Sequence, residues 1–96
     1  MICKIEGTKW LVAAFDNNGQ LGGFHSVPWE FHAQVVHAGT LWTGGYSAVA
    51  GSDNRIACEK MGPSGAIDDA WEVVFVSPDR FVATKQGALY RFGKRV

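Results

Sequence analysis

The stretch PWEFHAQVVHA (28–38) decides how the rest of the chain is read. It lies inside HSVPWEFHAQVVHAGTLWTGGYS (25–47), which holds all three histidines and two of the four tryptophans. Pro28 suits the first turn of a helix, where a missing N–H loses no partner. Gly39 follows Ala38 as a left-handed stop. At ~100° per residue, Trp29, Phe31, His32, Val35 and Val36 fall in one arc, with Glu30, Gln34 and His37 opposite. The spacing predicts a short helix over 28–38, held by packing because so short a helix is marginal alone in water.

On such a helix His32 sits in the apolar arc and His37 faces solvent, about 140° away around the axis. The two then share no metal ion, and the HxxxH spacing that permits sharing is absent. His32 remains a candidate functional histidine. The plainer alternative is a core histidine with one ring nitrogen satisfied.

Outward from this stretch the chain reads as strands. Residues 2–6 and 10–15 are joined by Gly7-Thr8-Lys9, and Asp16-Asn17-Asn18-Gly19 has tight-turn chemistry before a third strand over 21–27. Short strands are expected at 40–43, 46–50 and 55–61, split by Gly44-Gly45 and by Gly51-Ser52-Asp53-Asn54. The last third reads as a meander of strands 72–77, 80–85 and 88–92. Its first turn carries Pro78 at the position where a preset φ is favoured. Residues 10–15 and 73–76 lack polar alternation, which places them as central strands covered on both faces. In Ala88-Leu89-Tyr90-Arg91-Phe92, Tyr90 and Phe92 are expected on the core face and Arg91 on the other. The expectation is a β-dominated α+β fold. Two meanders of about six to eight strands form antiparallel sheet, with one helix at 28–38 packed on it, in a single domain over 1–96.

Nine basic and nine acidic residues balance, so no global field favours nucleic acid or membrane. The distribution is uneven. Residues 78–96 carry Arg80, Lys85, Arg91, Lys94 and Arg95 against Asp79 alone, a net of +4, which leaves −4 on residues 1–77. The apolar run 10–15 is too short for a signal peptide or a membrane span. Cys3 and Cys58 form no CxxC pair, and a cytoplasmic setting, in a bacterial or a host cell, with both thiols free is expected.

Catalytic and cofactor motifs are missing. Cys3, Cys58, His25 and His32 have no zinc-ligand spacing. Cys58 as a nucleophile with a histidine base competes with the commoner role of a small apolar strand residue. Gly45-Tyr46-Ser47-Ala48-Val49 lacks the second glycine of a nucleophile elbow, and the glycine-rich run 44–51 lacks GK[ST]. Asp68-Asp69 reads as solvated loop. No metal, cofactor or catalytic residue is assigned.

By exclusion the sequence points to a small, non-enzymatic cytosolic binding protein that modulates or inhibits a larger protein partner, with a phage or other mobile element as a fitting source. Trp42 and Tyr46, on an expected glycine-bent loop, supply aromatic anchors. Arg80, Lys85, Arg91, Lys94 and Arg95 supply a basic docking surface. The alternatives are a nucleic-acid-binding module using that C-terminal basic hairpin and a small structural subunit of the virion type.

Overall fold

The computed structural model describes residues 5–96, and every regular element in them is a β-strand. In chain order these are β1 (Thr8–Phe15), β2 (Leu21–Phe24), β3 (Trp29–Phe31), β4 (Val35–Ala38), β5 (Trp42–Ala48), β6 (Arg55–Met61), β7 (Ile67–Ser77), β8 (Arg80–Lys85) and β9 (Ala88–Arg95). Strands β3 to β9 run as one continuous antiparallel meander. The sheet closes because β1 pairs with β3 on one edge and with β9 on the other. The result is a closed eight-stranded barrel with β2 as an extra strand. β2 and β3 lie end to end along one edge of β1: Thr8–Trp10 pair with β3, while Ala13 and Phe15 pair with β2.

The helix expected over 28–38 is not formed, and the α+β assignment with two meanders gives way to an all-β barrel built from one. Residues 29–31 and 35–38 are a hairpin in which Phe31 faces Val36 and Glu30 faces His37 across the strands. The reason is visible in the same letters. Trp29, Phe31, Val36 and Ala38 are buried, while Glu30 and His37 are only partly covered, a period of two on either side of a turn. Gln34 makes that turn with φ 60°, which ends any right-handed helix there. A period of 3.6 and two short alternating runs fit these eleven positions almost equally well, and closure of the barrel selects the second.

Other boundaries also shift. Expected strands 40–43 and 46–50 merge into β5, which runs through Gly44-Gly45 without bending away. A side chain at Gly44 would collide with the Glu59 carbonyl, so glycine here serves close strand approach. β7 begins at Ile67, which places Asp68 and Asp69 in a strand and not in a loop. Of the central strands, β7 is covered on its inner face only, since Val76 is 60% exposed. Expected strand 2–6 lies mostly outside the described residues, and Ile5 and Glu6 are not in a strand.

Eight strands enclose just enough room for side chains to fill, or for one small ligand. Most of the interior is filled. Trp10, Val12, Phe31, Val36, Val73, Phe75, Phe81 and Ala83 are completely buried. Trp10 meets Phe75 at 5.5 Å and Phe81 at 5.2 Å between ring centroids. Each fully buried phenylalanine contributes about 1.5–3 kcal/mol. The Phe81 ring occupies the space that a side chain at Gly93 would need. Outside the barrel, Ala13 pairs with Phe92 and with Phe24, whose rings lie 6.4 Å apart, so that position is buried although it faces outward.

Candidate functional site

Alternation along the strands carries charged residues to one end of the interior. The inner row of β6 is Ile56, Cys58 and Lys60, that of β7 is Phe75, Val73, Trp71 and Asp69, and that of β8 is Phe81, Ala83 and Lys85. Each row starts apolar and finishes with a charge at the same mouth, where Lys60 and Asp69 are register partners. β9 arrives with a bulge. Ala83 opposes Arg91 while the adjacent Thr84 opposes Leu89, which leaves Tyr90 as the extra residue. Tyr90 and Arg91 therefore both line the mouth, and the expected separation of Tyr90 and Arg91 onto opposite faces is overturned. Phe92 goes to the outside, against Phe24.

Three tryptophans form the base of this mouth. Trp42 stands edge-on to Trp29 at 5.5 Å and to Trp71 at 5.4 Å, and Trp71 meets Tyr90 at 5.7 Å. Trp29 and Trp71 are buried, and Trp42 is half-buried. Arg91 lies over the Tyr90 ring, 3.9 Å from its centroid, with Lys85 at 5.3 Å. Such contacts are worth ~0.5–2 kcal/mol depending on exposure. Asp69 holds Lys85 at 2.6 Å and lies 3.5 Å from the Tyr90 hydroxyl. Burial pushes the Asp69 carboxyl up, but hydrogen bonds from Lys85 and the Ala70 N–H, with the charges of Lys85 and Lys60, outweigh it and lower the pKa. The same hydrogen bond raises the pKa of Lys85. The Asp69–Lys85 pair is thus ionised at neutral pH.

Between these groups lies a cavity of about 240 Å³, completed by His25 and Lys60. Trp71, 6% exposed, lines it, and its indole Nε1 is buried without a hydrogen-bond partner among the described residues. Leaving such a donor unpaired costs about 1–3 kcal/mol. Three other surface hollows, of about 310, 360 and 430 Å³, are larger, but none is lined by a lysine, arginine or histidine.

Of the residues singled out from sequence, Trp42, Lys85 and Arg91 converge on this mouth. Tyr46 lies on the same strand as Trp42 but at the opposite end of the barrel, where its hydroxyl donates to the His32 carbonyl at 2.5 Å. Neither is on a loop. Arg80, Lys94 and Arg95 also lie at that far end, Arg80 paired with Asp79 at 3.1 Å. The five basic residues form no single stripe. His32 is exposed at the β3–β4 turn with its ring 4.8 Å from that of His37, so the separation expected on a helix is reversed. No group of three metal-ligating side chains occurs among the described residues. Cys58 faces the interior, and burial with the Glu59 charge pushes its thiol up to about 12, so it stays protonated at neutral pH. Cys3 lies outside the described residues.

Lys60, Asp69, Trp29 and Trp71 were not singled out as site residues. The signal available for Lys60, Asp69 and Trp71 was the alternation in Ile56-Ala57-Cys58-Glu59-Lys60 and Asp69-Ala70-Trp71-Glu72-Val73, each ending an apolar row on a charge. Fold and mouth together define a small up-and-down β-barrel with a basic, tryptophan-based opening at one end. No protein family, curated protein or solved structure matches the chain.

Proposed function

We propose that this chain is a non-enzymatic binding protein that modulates a larger protein partner, meeting it with the end of the barrel that carries the aromatic mouth. The observation that supports this reading is where exposed apolar residues gather. Of the nine exposed large apolar side chains among the described residues, Leu21, Leu41, Met61, Ile67 and Leu89 lie on the turns and strand ends around that mouth, while Val35, Val76 and Val96 lie at the other end and Phe24 on the outer wall. Exposed apolar surface beside tryptophan, tyrosine and arginine has the composition of an interface hot spot with its surround. A reducing cytoplasm suits the free thiol of Cys58.

The test is affinity capture from host lysate, with and without nuclease, using the natural chain and a Leu41→Ser/Ile67→Ser double variant. A protein retained after nuclease and lost with the double variant supports the reading. Capture that vanishes with nuclease transfers it to a nucleic-acid target. Equal capture by both chains removes this end of the barrel from the interface.

A further inference from the structure

We propose that the mouth is a binding site for a small anionic molecule, a flat ring bearing a carboxylate. This goes beyond the partner reading and stands on the cavity alone. Lys60 and Arg91 bring hydrogen-bond donors to it beside the Trp71 ring, and neither has a carboxylate partner among the described residues. The one carboxylate lining the cavity, Asp69, is already held by Lys85 at 2.6 Å. Arg91 also donates to the Tyr90 carbonyl at 3.0 Å, and its remaining donors together with those of Lys60 outnumber the acceptor oxygens left in the cavity.

Sites walled by tryptophan and tyrosine commonly take a cation on the ring faces. Here the protein supplies its own, since Arg91 lies over Tyr90 and Lys85 lies beside it. A second cation would meet like charge. An anion meets the charged donors of Lys60 and Arg91, in surroundings where an unmet donor is costly. The volume of about 240 Å³ lies just below the range of pockets that take drug-sized ligands, which suits a single ring with its carboxylate. A bare oxyanion of inorganic type would satisfy the donors but leave the indole surfaces uncovered, so the ring is part of the recognition.

The experiment titrates the full chain with benzoate, following tryptophan fluorescence and the indole N–H resonance of Trp71. Benzylamine, benzyl alcohol and inorganic phosphate serve as the other probes. Benzoate is expected to saturate with a dissociation constant near or below about 1 mM and to shift the Trp71 indole resonance. Benzyl alcohol and phosphate should bind at least about tenfold more weakly, and benzylamine least of all. Lys60→Gln and Arg91→Gln, both at the open rim, should each weaken benzoate by about tenfold, the worth of a hydrogen bond to a charged group. Benzylamine binding as tightly as benzoate, phosphate binding as tightly as benzoate, or no saturation by benzoate would each overturn the proposal. No partner protein enters this titration, so its failure is distinct from failure of the capture experiment.

Discussion

At the end of the barrel where β1 begins, the Thr8 hydroxyl accepts from the Trp10 indole at 2.8 Å and reaches the Ile5 carbonyl. Tyr46 stands edge-on to Phe31 at 5.2 Å and donates to the His32 carbonyl. At the opposite end, Trp42 is half-buried, the Trp71 indole has no partner among the described residues, and Lys60, Asp69 and Arg91 line a cavity beside which Lys85 is held by Asp69. Both ends are reached by the same inward alternation of the same strands. The difference lies in what terminates each row. Rows that finish on aromatic rings with paired polar atoms seal the barrel. Those that finish on charges cannot close over, because each charge needs water, a counter-ion or a ligand. Sealing is a stability role, and the open end is free to serve function.

The contrast can be broken most directly by truncating one ring at each end. Phe31→Ala should cost about 3–5 kcal/mol in chemical denaturation, as for a fully buried phenylalanine. Trp42→Ala at the open end should cost less than half of that, because part of its surface already faces solvent. Equal costs would show that the open end is as structural as the sealed one. Gly93→Ala comes next: the added methyl must displace the buried Phe81 ring, and a loss of about 1–3 kcal/mol is expected.

Tyr46→Phe and Tyr90→Phe sharpen the comparison at the level of one hydroxyl. The first removes a close bond to a carbonyl and should cost about 1 kcal/mol. The second removes a 3.5 Å contact with Asp69, at the limit of a hydrogen bond, and should leave the denaturation midpoint nearly unchanged. The smallest effect concerns the Asp69–Lys85 pair. The Asp69 pKa is lowered in the fold, so its contribution is fully present above the ordinary aspartate value of 3.8 and is lost as pH falls through the lowered one. Lys85 is raised, so its share persists to its ordinary value of 10.5 and is lost as pH rises through the raised one. Stability measured against pH should therefore fall less in acid for Asp69→Asn than for the natural chain, and added salt should shrink the difference.

Much of the strand content was legible in the letters. Strands 55–61 and 80–85 coincide with β6 and β8, and the turns at Asp16–Gly19 and Gln86-Gly87 stand where their chemistry placed them. The hairpin of β3 and β4 was not, because its two apolar runs, three and four residues long, are too short to separate a period of two from one of 3.6. The mouth was half legible. Trp42, Lys85 and Arg91 stood out by residue type, whereas Asp69 looked like loop solvation until its strand was extended back to Ile67. Arg91 and Tyr90 share the cavity only because a bulge turns both inward, and no local pattern encodes that bulge.

By itself, then, the sequence determined an antiparallel, aromatic-rich β domain with balanced charge, a basic last third and no recognisable catalytic motif. These follow from composition, turn chemistry and alternation, which act over a few neighbouring residues. Only the tertiary structure decided that the helix stretch is a hairpin, that β1 closes the sheet on β9, and that the basic residues divide between the two ends of the barrel. Those outcomes depend on pairings between residues up to 85 positions apart, as in Trp10 with Arg95. Closure leaves no free edge on the barrel's own eight strands and makes inside and outside the alternation that counts. That long-range choice is what brought Lys60, Trp71 and Arg91 together.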